Sequence, residues 1–479
     1  MSPSTESTET TESTPLLIQR IESDTRPKHT PLPMIQLSCI MFVQLCEPLV
    51  GQSIYPYINQ LVGELDVTGG DEKKVGYYAG MEALFFLTEA ASTLQWSRAS
   101  DRVGRKPILL IGLFGAALSM LFFGLSRTFI GLVTSRCLCG LLNGNVGVMK
   151  STLGDLTDRT NRADAMKFIP IVWATGVSVG PLIGGSLARP HDRFPNSEFF
   201  ALELWLKFPY FLPCFVVAIV VLIAWLTVLL VFKESVPWKT QRSLQQSSQS
   251  GPNSPTLDSR QGPLPLGELL TRPVLLSVSN YVALGFISTS LGALIPLFLT
   301  MPINVGGLGL DPPKIGVILS VYGVTAGAVN LLFFARLVRT VGEKRTFLLG
   351  MCPMVFIWLL FPAMNLLARQ SEGLGLGIYA LIGLLLLLAA ITDISYGAIF
   401  MFILASAPKS SRGSVNGLSQ TSVSIARAIG PALATSLFSV SVQRNLLGGY
   451  FIYVAFFVVG CGAMCLAMRL PDEPWSDIE

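Results

Sequence analysis

The chain has 479 residues and a formal net charge of +4, and 51% of its residues are hydrophobic while only 13% are charged. Soluble domains carry roughly 25% charged residues, so this composition and a mean hydropathy of +0.56 indicate a membrane protein. Collagen, a coiled coil, a nucleic-acid-binding protein and a secreted disulfide scaffold are excluded, because none of them hides so much continuous apolar surface from water.

The first half of the chain consists of a polar tail and six apolar stretches. Residues 1–33 are rich in Ser, Thr and Glu and contain no apolar core, so we expect a disordered tail and not a signal peptide. Each stretch that follows has roughly the twenty residues that one membrane-spanning helix needs. The six lie at residues 34–58, 76–97, 108–126, 129–149, 168–188 and 208–232.

The second half repeats this layout after a linker. Residues 233–272 are polar and rich in Ser, Gln and Pro, which is typical of a flexible linker, and residues 471–479 form a short tail. The sequence therefore predicts an all-α membrane protein with twelve transmembrane helices in two six-helix bundles, at residues 34–232 and 273–470. Helices 7 to 12 lie at residues 273–300, 314–337, 346–366, 377–405, 414–441 and 449–468.

Lysine and arginine are distributed unevenly between the two sides of the predicted membrane domain. Most of them lie on the side that holds both termini and the linker. Because cytoplasmic loops carry the excess of Lys and Arg, we predict a multi-pass protein whose termini and linker are cytoplasmic.

Charged residues inside the predicted helices follow a pattern of their own. The interiors of helices 3, 6, 9 and 12 have none, so these helices can face lipid and we expect them at the periphery. The interior charges are Glu47 (helix 1), Glu82 and Glu89 (helix 2), Arg136 (helix 4), Asp393 (helix 10) and Arg427 (helix 11). All but Glu82 lie near the middle of their helices, which predicts one polar site near the membrane midplane.

The sequence lacks the residues that metal transport, ATP binding and enzymatic catalysis need. The chain has eight cysteines, all in apolar stretches, and two histidines, both outside them, so metal transport is disfavoured. No phosphate-binding GxxxxGK[ST] loop is present, which argues against ATP as the energy source. We also find no catalytic set of nucleophile, base and acid, and we therefore predict neither an enzyme nor a cofactor.

The connection between helices 2 and 3 contains the run D-R-V-G-R-K-P at residues 101–107. A basic cytoplasmic turn alone would produce some of these residues. Their order, however, resembles the signature loop of the major facilitator superfamily, which also follows the second helix. Ser97 stands where that family usually has its first glycine.

The resemblance implies a gating role for this loop, which includes Gly104. Asp101 is expected at the N-terminus of helix 11, where the helix dipole favours an anion. Arg102 or Arg105 is expected to pair with Asp155 after helix 4. Such contacts hold the two halves together on the cytoplasmic side.

A degenerate copy of this loop lies between helices 8 and 9. It reads R-L-V-R-T-V-G-E-K-R at residues 336–345 and has no aspartate at the position of Asp101. A copy at the equivalent place implies an internal duplication, and we expect it to gate less strongly.

Helices 4 and 5 carry two further motifs. Arg136 and Gly140 on helix 4 resemble the R-x-x-x-G motif of the superfamily, and Arg136 could instead be a structural partner of Glu82. Small residues on helix 5 permit close helix packing, and their spacing also resembles the motif of the superfamily's exporters. These residues are Gly176, Gly180, Pro181, Gly184 and Gly185. Lys167 replaces a further glycine of that motif.

Four segments narrow the resemblance to a subgroup. They are residues 46–58 of helix 1, N-G-N at 143–145, F-P-Y at 208–210 and residues 413–431 of helix 11. Together they resemble the fungal drug:proton antiporter group related to plant zinc-induced-facilitator-like proteins and bacterial tetracycline exporters. This resemblance covers nearly the whole membrane domain and implies proton-coupled export of a small organic compound, such as a secondary metabolite or drug.

Two alternatives to export stay open at this point. Uptake of a nutrient is the stronger one, and a non-transporting membrane receptor is the weaker, because buried midplane charges would then need another reason to exist.

The candidate proton- and substrate-binding residues are Glu47, Glu89, Arg136, Asn143, Tyr322, Asp393, Asn416, Gln420 and Arg427. Burial shifts a carboxylic acid towards its neutral form, so we rank Glu47 first as the proton carrier, with Glu89 and Asp393 behind it. The expected partners are protons, a small organic substrate and the lipid bilayer, with no nucleic acid and a monomeric protein.

The destination membrane is predicted as the plasma membrane, with vacuolar or endosomal membranes as the alternative. The tail contains Glu12 followed by Leu16 and Leu17, which resembles a dileucine sorting signal. Such signals are addresses that a receptor reads, and they do not anchor the chain.

Overall fold

A computed structural model describes residues 30–143, 145–157, 161, 165–166, 168–234, 270–371, 375–407 and 412–475. The described residues form helices and no strand. Residues 1–29, which contain the candidate sorting signal, and residues 235–269 of the predicted linker lie outside this description, as does the side chain of Asp101. The predicted domain boundaries therefore stay predictions.

Twelve spans follow the predicted apolar stretches closely along the described chain. Helices 1 to 6 are Met34–Gln52, Glu82–Val103, Arg105–Leu125, Phe129–Leu142 with Asn145–Leu156, Phe168–Leu187, and Phe211–Leu230. Helices 7 to 12 are Arg272–Thr300, Pro312–Val341, Glu343–Gln370, Leu376–Thr392 with Ile394–Ala405, Arg412–Gln443, and Phe451–Met468.

Eleven of the described spans are long and apolar enough to cross a membrane by themselves. The exception is helix 2, which has 22 residues and includes Glu82, Glu89, Arg98 and Arg102. At about 1.5 Å per residue its length still matches a hydrocarbon core of about 30 Å. Helix 2 therefore fits in the bilayer only because other helices cover its charged face.

The four helices without interior charge lie towards the outside of the molecule. Helices 3, 6, 9 and 12 make their principal contacts only with helices of their own half. The principal contacts between the halves join helix 5 to helix 8, and helix 2 with the short helix Val75–Ala79 before it to helix 11. A weaker contact joins the short helix Ile58–Gly63 to helix 7. This arrangement supports the predicted peripheral position of the uncharged helices.

Helices 4, 8 and 10 are irregular within the membrane. Helix 4 is interrupted at Asn143, which has φ −77° and ψ +64°. Helix 10 has a milder interruption at Asp393, where φ −62° and ψ −20° stay in the right-handed helical region. Helix 8 contains a π-helical segment at Asn330–Phe334, and Phe334 packs against Gly397 of helix 10. Interrupted helices and π segments recur at functional sites, because they free backbone groups from the regular hydrogen bonds of the α-helix and change the direction of side chains.

The described residues bring the two halves into close contact on one side of the membrane. We call the side where helix 1 begins and helix 12 ends the terminal side, and the other the opposite side. Near the opposite side a Cβ added to Gly185 would lie 2.8 Å from Gly316 Cα. A Cβ added to Gly80 would likewise lie 2.8 Å from Ala432 Cα.

A hydrogen bond closes the same side, since the Tyr77 hydroxyl donates to Gln443 Oε1 at 3.0 Å. Towards the terminal side, Asn416 and Thr421 of helix 11 are exposed. The described residues therefore close the protein on the opposite side, while helix 11 exposes Asn416 and Thr421 towards the terminal side.

Candidate functional site

A buried ion pair joins helix 2 to helix 4 in the first half. Arg136 Nη2 lies 2.8 Å from Glu82 Oε2, and the two side chains are 1% and 5% exposed. The Arg136 guanidinium also lies 5.1 Å from the centre of the Phe85 ring. Of the two interpretations of Arg136, this geometry favours the structural partner of Glu82, because neither group reaches the space between the halves in this conformation.

The side chain of Glu89 on helix 2 reaches the interruption in helix 4. Asn143 Nδ2 donates to Glu89 Oε1 at 2.8 Å. The main-chain oxygen of Glu89 accepts from Thr93 Oγ1 at 2.7 Å, which holds this turn of helix 2 in place. The half-buried carboxylate of Glu89 is thus held by the side-chain amide of Asn143, the residue at which helix 4 is interrupted.

Asp393 forms the corresponding feature of the second half. It lies at the interruption of helix 10, and Tyr322 of helix 8 donates its hydroxyl hydrogen to Asp393 Oδ2 at 2.8 Å. Each half of the protein therefore carries one carboxylate that is hydrogen-bonded to a neutral side chain beside an interrupted helix. Nothing in the sequence alone indicated either interruption.

Arg427 of helix 11 lies against aromatic rings of its own half. Its guanidinium carbon lies 5.9 Å from the centre of the Tyr396 ring, and Tyr281 packs edge-on against Tyr396 at 6.2 Å. Gln420 lies two turns earlier on helix 11 and is half-buried. Helix 11 packs against helix 2, which carries Glu89, so the helices that carry Glu89 and Arg427 meet at the interface between the halves.

The remaining candidates are Asn416 and Glu47. Asn416 is exposed in the second turn of helix 11, and its distance from Arg427 along the helix is about 16 Å at about 1.5 Å per residue. Glu47 is half-buried on helix 1, immediately before Pro48, which packs against Gly176 of helix 5. The sequence placed these residues on the correct helices, but it could not give their depth or direction.

The small residues of helix 5 divide between two neighbours. Gly176, Gly180 and Gly184 lie against helix 1, at Pro48, Gln52 and Ser53 respectively. Pro181 and Gly185 lie against Gly316 of helix 8, in the other half. The motif therefore makes room for a kinked helix on one face, and on the other face it permits the close approach that seals the opposite side.

The loop between helices 2 and 3 forms an ion pair within the first half. Arg105 Nε lies 3.2 Å from Asp155 Oδ2, and Arg105 Nη1 donates to Ser100 Oγ at 2.7 Å. Of the two arginines that could pair with Asp155, the structure selects Arg105, while Arg102 is exposed. The expected contact of Asp101 with helix 11 lies outside the described side chains.

Glu234 takes part in this loop although the sequence did not suggest it. Its two carboxylate oxygens accept from the backbone N–H groups of Arg105 and Lys106 at 2.9 and 3.0 Å, which caps the start of helix 3. In return, Lys106 Nζ donates to the carbonyl oxygens of Leu229 and Phe232 at the end of helix 6. An acidic residue directly after an apolar helix was the available signal, but nothing in the sequence shows which helix start it reaches.

The amino-acid sequence also matches a protein family along most of its length. A family model for the Major Facilitator Superfamily matches residues 40–306 and 297–478. The chain belongs to the major facilitator superfamily. The predicted family and the predicted fold of twelve helices in two bundles are both confirmed.

Curated relatives of this superfamily member are of similar length. The chain is 31% identical to "Major facilitator-type transporter psiT2" of Psilocybe cubensis, over 91% of this chain and 90% of that protein. It is 29% identical to the "multidrug transporter mfsB" of Aspergillus fumigatus, over 93% and 85%. It is 28% identical to "Protein ZINC INDUCED FACILITATOR 1" of Arabidopsis thaliana, over 89% of each. The predicted subgroup is consistent with these relatives.

A solved structure of the superfamily shows the same fold. The crystal structure of a D-xylose–proton symporter superposes on this chain with a TM-score of 0.67 at 15% identity, over 94% of this chain and all of that one. The family and the fold are those of transporters, not of enzymes.

The second copy of the superfamily's signature loop has the same backbone geometry as the first. Gly104 has φ +108° and ψ +162° before helix 3, and Gly342 has φ +84° and ψ +170° before helix 9. In the second copy, Lys344 Nζ lies 3.0 Å from Asp472 Oδ1, just after helix 12. In the first copy, the corresponding Lys106 Nζ donates to a carbonyl oxygen at the end of helix 6. The shared geometry supports the internal duplication that the sequence suggested.

Gly104 provides a test of the first loop. Its φ lies in the region that favours glycine, and an added Cβ would lie 2.6 Å from Glu234 Oε2. We expect Gly104→Ala to destabilise the protein by about 1–3 kcal/mol and to lower its unfolding midpoint in detergent, measured by a thermal shift. Gly462→Ala is the control, because its Cβ meets nothing within 4 Å. Equal midpoints for the two variants would contradict the close approach of Glu234.

Proposed function

We propose that this protein is a proton-coupled exporter of a small organic compound. The observation that carries the proposal is the pair of carboxylates beside interrupted helices, Glu89 with Asn143 and Asp393 with Tyr322. Ionisable groups inside a membrane are costly and usually serve substrate or proton movement. Interrupted helices near the midplane are where transporters with repeated halves bind their ligands.

Three features support export. The terminal side carries most of the Lys and Arg residues, so we assign it to the cytoplasm. Asn416 and Thr421 of helix 11 are exposed towards that side, which is where an exporter loads. The helix 5 residues Pro181 and Gly185 seal the opposite side against Gly316, and one relative bears the name multidrug transporter.

Uptake of a nutrient is the second candidate function. The same two carboxylates could bind a proton together with a substrate and carry both in one direction. Direction therefore decides between the two candidates, and the measurement needs vesicles of known orientation.

The test uses the purified full-length protein in liposomes, with orientation determined by protease digestion of the linker. Fluorescent cationic, neutral and anionic compounds are supplied in separate experiments on each side of the membrane, and a pH gradient of either sign is then imposed. An exporter driven by protons moves compound away from the termini only when the opposite side is the more acidic. Movement towards the termini under that gradient would support uptake instead, and movement independent of pH would remove proton coupling.

Three substitutions locate the proton site within this assay. We expect Glu89→Gln and Asp393→Asn each to reduce gradient-driven movement at least about tenfold, because each removes a carboxylate that is fixed beside an interrupted helix. Exchange of compound without a gradient should persist. The sequence ranked Glu47 first as the proton carrier, whereas the geometry favours Glu89 and Asp393. A complete loss of gradient-driven movement in Glu47→Gln alone would restore Glu47 as the main proton carrier.

We further propose the plasma membrane as the destination, with vacuolar or endosomal membranes as the alternative. Imaging a C-terminally tagged protein beside a variant with Leu16→Ala and Leu17→Ala distinguishes the two. An identical surface pattern in both would remove the sorting role of the leucine pair.

A further inference from the structure

The connection between helices 5 and 6 exposes several large apolar side chains. We call residues 188–210 the aromatic loop. It lies on the opposite side of the membrane and contains two short helices, Pro190–Arg193 and Glu203–Lys207. Five of its large apolar side chains are 42–58% exposed, namely Phe194, Phe199, Leu202, Leu204 and Leu206. An apolar surface of this kind marks a contact with another molecule or with a membrane.

Hydrogen bonds hold the aromatic loop in one shape. The main-chain N–H of Arg189 donates to the carbonyl oxygen of Pro209 at 2.8 Å, which joins the two ends of the loop. The indole N–H of the buried Trp205 donates to the carbonyl oxygen of Phe199 at 2.9 Å. Arg189 also pairs with Glu64 at 3.0 Å, which ties the loop to the connection between helices 1 and 2. The exposed apolar side chains therefore stand on a folded platform.

A row of aromatic contacts leads from this loop to the outer face of helix 6. The ring centres of Phe199 and Trp205 are 5.6 Å apart, and those of Trp205 and Phe211 are 6.2 Å apart. The row ends at the exposed Phe215, whose ring centre lies 5.6 Å from that of Phe211. The exposed face of helix 6 continues from there along Ile219, Ile223, Leu226 and Leu230. Because helix 6 is uncharged and long enough to cross a membrane, this face contacts lipid, and the apolar surface of the loop is continuous with it.

The length of helix 6 sets the depth of the aromatic loop. Phe211–Leu230 has 20 residues, which at about 1.5 Å per residue match a hydrocarbon core of about 30 Å. Phe211 therefore lies at the boundary between acyl chains and headgroups on the opposite side, and the rings that contact it lie near the same level. Aromatic side chains are enriched at this level of membrane proteins.

The charges of the aromatic loop balance. Its basic residues are Arg189, Arg193 and Lys207, and its acidic residues are Asp192, Glu198 and Glu203. Arg189 pairs with Asp192 inside the loop, and the Arg193 guanidinium lies 5.8 Å from the centre of the Phe194 ring. Attachment to a membrane then depends on buried apolar area and not on attraction to anionic lipid.

We propose that the aromatic loop is an interfacial anchor, whose exposed apolar side chains enter the headgroup region of the leaflet on the opposite side and contact neutral phospholipid. The loop joins the end of helix 5 to the start of helix 6, so the anchor holds both helix ends at one depth. Helix 5 also carries Gly185, which packs against Gly316 of the second half. The first half therefore keeps a fixed position in the membrane when this contact opens and closes. The inference depends on neither the substrate nor the direction of transport.

Photoactivatable phosphatidylcholine tests the anchor with the unaltered full-length protein. The protein is reconstituted in phosphatidylcholine liposomes with a trace of a probe lipid, whose diazirine lies either beside the headgroup or at the end of an acyl chain. Peptide mass spectrometry then locates the crosslinks. We expect the headgroup probe to label residues 194–206 at least about tenfold more than the acyl-end probe does. Residues 66–74 on the same side are the internal control, because this polar segment should stay in water and remain unlabelled.

The crosslinking results decide between the anchor and its alternatives. Headgroup-probe labelling of residues 194–206 that is no greater than that of residues 66–74 would overturn the proposal, and so would stronger labelling by the acyl-end probe. Replacing part of the phosphatidylcholine by phosphatidylserine should change the yield by less than about twofold, since the loop is electrically balanced. Labelling that requires phosphatidylserine would overturn neutral phospholipid as the partner.

Thiol accessibility gives an independent measurement. Leu204 and Glu72 are both exposed in the protein itself, so only an outside partner can cover one of them. A membrane-impermeant maleimide added from the opposite side should react with Leu204→Cys at least about tenfold more slowly than with Glu72→Cys, after subtraction of the reaction of the unaltered protein. Equal rates would overturn the anchor. Slow reaction without lipid crosslinks would overturn it in favour of a contact with a second copy of the chain.

Two further changes show that apolar area carries the attachment. Phe199→Ser combined with Leu206→Ser should raise the maleimide rate at Leu204→Cys towards that at Glu72→Cys, because the loop then loses two of its exposed apolar side chains. Glu198→Ser is the matched control in the same loop, and it should leave the rate unchanged. An equal increase in the control and in the double variant would contradict an apolar anchor.

Discussion

Arg136→Ala is expected to destabilise the protein by about 3–5 kcal/mol, because it leaves Glu82 as an uncompensated charge in a dry interior. The pair is almost completely buried, with 1% and 5% of its side chains exposed, so water cannot replace the lost guanidinium. The measurement is the free energy of unfolding in mixed micelles, together with the yield of folded protein.

A double variant separates charge from shape in this prediction. Glu82→Gln combined with Arg136→Gln removes both charges at once, and we expect it to recover most of the lost stability. Asp472→Ala is the surface control: its ion pair with Lys344 leaves the aspartate side chain 93% exposed, and we expect an effect below about 1 kcal/mol. Equal losses in Arg136→Ala and Asp472→Ala would show that the buried pair is not a structural element.

Gly316→Leu is expected to reduce transport at least about tenfold while the protein still folds. At this position an added Cβ would lie 2.5 Å from the carbonyl oxygen of Pro181 and 2.9 Å from Gly185 Cα, so helices 5 and 8 cannot close as they do here. The physical reason is backbone contact: neither partner can move aside as a flexible side chain would. Vesicle transport measures the loss.

Accessibility supplies a second measurement for the same variant. With Ser439→Cys introduced as a reporter, a membrane-impermeant maleimide added from the opposite side should react faster in Gly316→Leu, because Ser439 is buried against Gly76 of the first half and becomes accessible when that side no longer closes. Gly292→Ala on helix 7 is the control, since its Cβ meets nothing within 4 Å. Normal transport by Gly316→Leu would contradict a role of this contact in closing the opposite side.

Membrane thickness made the helices predictable from the sequence. A spanning helix needs about twenty apolar residues, and lipid tolerates few charges, so length and charge together located all twelve spans to within a few residues at most ends. The same reasoning placed the uncharged helices at the periphery. Glu82 illustrates its limit: the sequence set this residue apart from the midplane group, yet it lies within 2.8 Å of Arg136.

Contacts between distant segments were not predictable in the same way. Glu234 stands at the edge of a polar linker, and no local pattern shows that it caps helix 3 from a position 129 residues away. The interruptions at Asn143 and Asp393 also fall inside stretches that the sequence reads as single membrane-spanning helices. They persist because partners from other helices, Glu89 and Tyr322, bind the polar side chains that they present.

The sequence by itself determined the family, the number of helices and the set of midplane charges, because each of these depends on composition and spacing along one chain. The tertiary structure alone decided how these charges are paired: Glu82 lies against Arg136, while Asp393 accepts a hydrogen bond from the hydroxyl of Tyr322. It also decided that the halves meet at Gly185 and Gly316 on the opposite side. The physical reason is that ion pairing and close packing depend on the direction and depth of side chains from separate helices, and hydropathy records neither.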